Sequence, residues 1–209
     1  MNIVVAGGVC VQSDAISSAI LSQAEVLGEL PGVESVTVVV HHCDRDANVD
    51  VVVVPDAWSF VKLPDVATAD LVILHWGIHY PMFDALAIIA ATTRTVVNFH
   101  NVTPSDLVAE ADRANLERSM EQVQLLDFVA CEIWTESRFN ADTLVSWGID
   151  PARIAFMPFP IESPRPVRPR SPGERIELLS VGRLTAAKGT DVLLDAMDEV
   201  ARRMTTPPR

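Results

Sequence analysis

The chain has 209 residues, 49% of them apolar and 21% charged, with a formal net charge of −12. That apolar content supplies a buried core and excludes a chain disordered throughout, while the length fits one large domain or one domain and part of a second. The acidic balance excludes broad binding to nucleic acid or to anionic membrane, both of which would repel it.

The amino-terminal MNIVVAGGV has no basic leader and reads as a first buried strand over Ile3–Ala6 rather than a signal peptide. Further strands are expected at Ser35–His41, Val51–Val54, Leu71–His75, Thr95–Phe99, Val129–Thr135 and Arg153–Met157. They are continuous apolar runs rather than alternating ones, which suits strands covered on both faces by helices. Helix signals lie between them. Thr103-Pro104-Ser105-Asp106 offers a cap, a proline at the first helical position and an acid in the first turn. Ser137 caps a second helix, which Gly148 terminates. This alternation predicts an α/β fold with a Rossmann-like, doubly wound parallel sheet.

Charge divides the chain. Residues 1–162 carry a net −15 and residues 163–209 a net +3. The break falls at Ser163–Arg175, SPRPVRPRSPGER, where prolines alternate with arginines and favour an extended linker. Beyond it the rhythm restarts, with a strand expected at Ile176–Val181, a loop over Gly182–Gly189 and a helix from Thr190 to about Met204. Leu193, Leu194, Met197, Val200, Ala201 and Met204 give that helix an apolar stripe. One strand and one helix close no core, so 176–209 is expected to be the first unit of an incomplete second domain.

No stretch approaches the ~20 apolar residues that span a bilayer. Cys10, Cys43 and Cys131 form an odd set without CxxC spacing, which points to a reducing, cytoplasmic setting. The apolar content is compatible with weak membrane-surface contact, although buried parallel strands already account for it.

Several residues are candidates for chemistry. Arg183 and Lys188 sit in a glycine-bounded turn between a strand end and a helix start, where an arginine fork and a lysine charge suit a diphosphate. The alternative is a solvated turn with two ordinary surface cations. His100 follows a buried strand and should emerge at the carboxyl edge of the sheet, either facing a ligand or bonding backbone. Gly7 and Gly8 follow the first strand but lack GxGxxG spacing, leaving a tight turn and a phosphate contact both open.

His75 and His79 have the i, i+4 spacing of a zinc pair, but Gly77 and Pro81 argue against the helix that pair requires. Asp44-Arg45-Asp46 matches a DxD metal motif, and a surface loop accounts for it better. Of the four tryptophans, Trp76 beside His75 is the one placed to line a cleft; Trp134 and Trp147 read as structural. No GxSxG elbow, P-loop or CxxC pair occurs.

The stretch Leu178–Ala196, LLSVGRLTAAKGTDVLLDA, resembles the opening of the donor-binding domain of glycosyltransferase family 4, of GT-B fold. Ile133–Pro160 resembles the family's last amino-terminal-domain helix, its Gly-Ile-Asp-Pro turn and the strand into the linker. Asp70–Trp76 and Val96–Pro104 are similar to its acceptor-side strands. The resemblance implies a retaining transferase that moves a sugar from a UDP- or GDP-sugar to an acceptor hydroxyl. It implies that Arg183 and Lys188 bind the diphosphate and stabilise the leaving group, that His100 contacts the transferred sugar or acceptor, and that the Gly7-Gly8 loop approaches the donor phosphates. It also implies that no metal or other cofactor is required.

The family carries a Glu-x7-Glu motif far along its second domain, and this chain ends before such a position. A truncated or split enzyme is therefore expected. A non-catalytic acceptor-binding or interaction module derived from a transferase is the alternative, with a protein partner or a second copy covering the incomplete domain.

Overall fold

The computed structural model describes residues 1–108, 110–129, 131–158, 178–182, 184 and 188–204. These fall in two compact units, Met1–Ser105 with Glu110–Pro160, and Asp106–Ala109 with Ile161–Arg209. The expected linker at Ser163–Arg175 lies outside the described residues.

The first unit is an α/β layer built on seven parallel strands: β1 (Asn2–Cys10), β2 (Ser35–Cys43), β3 (Asp50–Val53), β4 (Leu71–Trp76), β5 (Arg94–Phe99), β6 (Glu132–Thr135) and β7 (Ile154–Phe156). Their order is β3-β2-β1-β4-β5-β6-β7. The chain builds outward from β1 to one edge, crosses back, and builds outward again from β4. This is the Rossmann-like arrangement, with its switch between β1 and β4, where the carboxyl ends open a crevice.

All seven strands expected from the apolar runs are present. β1 differs most, because it runs on to Cys10. Gly7 and Gly8 are therefore strand residues, not the turn after it; Gly7 pairs with Val40 on one side and His75 on the other. β6 begins three residues later than expected, since Val129 ends the helical segment before it instead of opening the strand.

Side chains on each strand alternate between faces. Among the described residues one face is covered by α1 (Ala15–Gly28) alone, whose Ile20, Leu21 and Ala24 pack on Ile3, Val5, Val38, Val40, Ile73 and Val96. Asp14 caps α1, its carboxylate accepting from the Ser17 amide and hydroxyl, both at 2.7 Å. No helix separates β2 from β3; Ala47 and Val49 of that short connection pack on the same core instead.

The opposite face is thickly covered. It meets α2 (Ala57–Val61), α3 (Pro64–Ala67), the 3-10 turn at Pro81–Ala85, α4 (Leu86–Thr92), α5 (Glu110–Val123), α6 (Leu125–Phe128) and α7 (Arg138–Ser146). Here Trp76 stacks on Phe99, and Trp147 meets Phe99 edge-on. The helix expected from Thr103 starts as a 3-10 turn at Ser105–Leu107 before α5. Ser137 caps α7 through the Asn140 amide at 3.1 Å, and Gly148, at φ +94°, ends it as expected.

Arg153 ties β7 to the rest. Its guanidinium donates to the carbonyls of Leu126 at 2.7 Å, Val129 at 2.6 Å and Cys131 at 3.2 Å. One planar fork thus joins α6 and β6 to β7, with the Val129 carbonyl also accepting from the Cys131 amide at 3.0 Å.

In the second unit α8 (Thr190–Arg203) forms where the apolar stripe places it, entered through Gly189 in the left-handed region at φ +62°. Leu178–Val181, part of the strand expected there, is irregular rather than extended pairing. No helix among the described residues is long and apolar enough to cross a membrane.

Candidate functional site

The sheet's carboxyl edge brings together three residues far apart in sequence. His75 lies near the end of β4, His100 directly after β5 and Glu136 directly after β6. His75 pairs in register with Asn98, and the His100 amide donates to the Trp76 carbonyl at 2.8 Å. The two-residue period therefore puts His75, Asn98, His100, Trp134 and Glu136 all on the face that α1 covers.

The side chains form a chain of hydrogen bonds. Gln23 Oε1 of α1 lies 2.8 Å from His75 Nε2, His75 Nδ1 lies 2.9 Å from His100 Nε2, and His100 Nδ1 lies 3.0 Å from Glu136 Oε1. The imidazoles are nearly parallel, 5.1 Å between centroids. Two proton arrangements satisfy the chain. With Gln23 accepting from His75 Nε2–H, His75 Nδ1 accepts from His100, which then carries a proton on each nitrogen. With the Gln23 amide turned to donate, His75 donates to His100, which donates to the Glu136 carboxylate, and both imidazoles are neutral. The two states differ by one proton.

Burial decides where that proton cannot sit. His75 is 2% exposed, and its pKa is lowered to about 3, first by desolvation and then by the nearby His100. His75 is thus a neutral relay at ordinary pH. His100 and Glu136, 3.0 Å apart, have side chains that are 3% and 17% exposed.

Beside the relay, α1 and strands β4–β7 enclose a cavity of about 310 Å³, lined among others by Gln23, His75, Asn98, Trp134, Glu136 and Met157. Two acceptors near it, Asn98 Oδ1 and Glu136 Oε2, are buried without a hydrogen-bond partner among the described residues. Such groups are costly unless a donor reaches them, so they mark the place where a ligand hydroxyl or amine gains most.

The expected site residues are distributed unevenly. His100 stands at the carboxyl edge as its strand predicted, with both ring nitrogens engaged. Arg183 lies outside the described residues. Lys188 is exposed, one residue before the Gly189 entry to α8, and a Cβ on Gly182 would lie 4.0 Å from its Cγ, in ordinary van der Waals contact. Gly7 and Gly8 are close-approach positions. A Cβ on Gly7 would lie 2.2 Å from Ile20 Cδ1, and one on Gly8 1.8 Å from Tyr80 Cε2. Their smallness therefore has a packing cause on each face.

Trp76 lines no cleft; it is 4% exposed and donates to Gln122 Oε1 at 3.0 Å on the opposite face. His79 belongs to the loop after β4, where its amide donates to Ser119 Oγ, so it does not face His75 across a helical turn. No group of three or more His, Cys, Asp or Glu among the described residues is arranged to hold a metal ion. Gln23, Asn98 and Glu136 carried no signal on their own. Asn98 and His100 two apart at one strand end, with His75 at the end of the preceding strand, is a pattern that could have located them.

Compared with known proteins, the chain matches no family model, and no curated protein matches it significantly.

Proposed function

We propose that the chain is a GT-B glycosyltransferase of the family 4 type, transferring a sugar with retention from a nucleotide-sugar to an acceptor hydroxyl in the cytoplasm. In this reading the first unit is the acceptor side, and the segment from Leu178 through α8 opens the donor-binding side. The observation that carries it is the Gln23–His75–His100–Glu136 chain, set at the carboxyl edge one strand from the sheet's switch point. An acceptor hydroxyl that replaces one partner of His100 meets a histidine already oriented by a carboxylate. The proton it gives up has the His100–Glu136 pair to enter.

Arg183 and Lys188 are assigned to the donor diphosphate, where each charge-assisted hydrogen bond contributes about 1.5–3 kcal/mol. Calorimetric titration of the intact protein with UDP- and GDP-sugars tests the assignment. Arg183→Ala with Lys188→Ala together should weaken binding by about 100-fold or more. Unchanged affinity removes both residues from the role. His100→Ala should abolish transfer while donor affinity stays the same.

A second reading, an interaction module derived from a transferase, draws on α8. Leu193, Leu194 and Met204 are 36%, 64% and 46% exposed on the apolar stripe of that helix, which Asp191, Asp195 and Asp198 flank on one side. Light scattering after size exclusion separates the readings. Self-association that Leu193→Glu with Leu194→Glu abolishes favours the module, and a monomer at all concentrations counts against it.

A further inference from the structure

Cys10 and Cys43 are the last residues of β1 and β2 and are register partners across that pair of strands. Parallel neighbours lie ~4.8 Å apart, inside the ~4.4–6.8 Å between Cα atoms that a disulfide spans. Register partners in parallel strands project to the same face, and both cysteines pack in the α1-side core. The two thiols are therefore confined together, and both are reduced.

Their surroundings are unequal. Cys10 is fully buried, whereas Cys43 is partly exposed at the start of the connection to β3, its thiol donating to the Arg45 carbonyl at 3.3 Å. Burial, followed by the Cys43 neighbour, pushes the Cys10 thiol up to about 11, with Arg45 opposing. One sulfur is thus open to a small oxidant, and the other is kept protonated beside it. That is the division of labour between an oxidised and a resolving cysteine.

We infer that Cys10 and Cys43 form a peroxide-responsive disulfide that staples the carboxyl ends of β1 and β2. The Cys43 thiolate attacks one peroxide oxygen; the S–O bond forms, the O–O bond breaks, and the leaving hydroxide takes a proton as water. Cys10 then attacks the Cys43 sulfenic sulfur. The S–S bond forms, the S–O bond breaks, and the departing hydroxide leaves as water with the proton from Cys10. Peroxide is reduced by two electrons and the two thiols are oxidised by two. The staple fixes the points from which the α1 lead-in and the β2–β3 connection depart, where the Asp44 amide already donates to the Cys10 carbonyl at 3.1 Å.

The test treats the folded chain with hydrogen peroxide, alkylates remaining thiols and maps them by mass spectrometry. The expected product is lighter by two hydrogens, links the Cys10 and Cys43 peptides within one chain, and is restored by dithiothreitol. Cys131, buried with its sulfur 3.6 Å from Arg153 Nη2, should remain a thiol. Cys10→Ser should send Cys43 on to sulfinic acid, and Cys43→Ser should leave Cys10 unmodified at the same dose. Over-oxidised Cys43 beside an intact Cys10 thiol in the unaltered chain overturns the proposal, as does a bridge between chains or a bridge to Cys131. Oxidation of Cys10 in Cys43→Ser at the unaltered rate overturns the assigned order of steps.

Discussion

The two faces of the sheet divide its work. The face opposite α1 is packed with rings and helices: Trp76 on Phe99, Trp147 edge-on to Phe99, and Gln122 bridging the Trp76 indole, the Tyr80 carbonyl and Asp84. Gln122, Trp76 and Asp84 pair with one another there, although His41 Nδ1, beside Tyr80, is buried without a hydrogen-bond partner among the described residues. Among the described residues the α1 face has a single helix, and beside it the strands carry Asn98, Trp134 and Glu136 around a cavity that α1 also lines. One face spends its apolar surface on closure. The other gives up closure at the carboxyl edge, where titratable groups can meet a ligand.

The largest break in this contrast is Phe99→Ala, which opens a void under two indoles and should cost about 3–5 kcal/mol in chemical denaturation. A comparable truncation on the cavity side, Met157→Ala, meets open space already and should cost far less. Near-equal losses would mean that both faces are packed alike.

Gly7 and Gly8 compare the faces at neighbouring positions. Gly8→Ala drives a methyl into the Tyr80 ring and should lose about 3 kcal/mol, whereas Gly7→Ala meets only the tip of Ile20 and should lose about 1 kcal/mol. Ile20→Val, which removes Cδ1, should recover most of the Gly7→Ala loss but none of the Gly8→Ala loss. Denaturation midpoints of the three single and two double variants decide the matter.

The relay predicts a pH dependence. Because the folded pKa of His75 is lowered to about 3 from an ordinary 6.5, the unfolded chain binds more protons between those values, and stability rises with pH there. Acidifying from pH 6.5 to pH 5 should remove about 2 kcal/mol, and His75→Gln should flatten that part of the profile. A slope that persists in the variant assigns the effect elsewhere.

The smallest effect belongs to the helix cap that both sequence and structure place at Ser137. Ser137→Ala should cost about 1 kcal/mol in thermal or chemical unfolding, with the relay untouched.

What was legible in the sequence follows from how local each cause is. A buried parallel strand announces itself by Val and Ile runs, so β2, β3, β4 and β5 stand close to where the pattern put them. Gly7-Gly8 misled because glycine pairs usually punctuate turns. Here they mark close approach by Ile20, 13 positions later, and by Tyr80, some 70 positions later, which no window contains. The relay was half legible. His100 at a strand end was a candidate, but its partners are 25 and 36 residues away and become neighbours only through the β4-β5-β6 order. Trp76 reads as adjacent to His75, and the pleat sends it to the other side. The contribution of Arg183 rests on its motif alone, since it lies outside the described residues.

The Arg153 fork determines where this chain can be cut. Three carbonyls between Leu126 and Cys131 accept from one side chain that arrives more than twenty residues later, and that of Val129 is also reached by the nearby Cys131 amide. A fragment that stops at β6, however complete its first six strands, would leave those oxygens without the fork and its edge unlatched. Lysine at 153, with a single nitrogen at its tip, would reach one of the three at a time. The smallest autonomous piece of this chain must therefore carry its arginine and the short strand behind it, and an expression boundary drawn at the last long strand would fall on the wrong side of the latch.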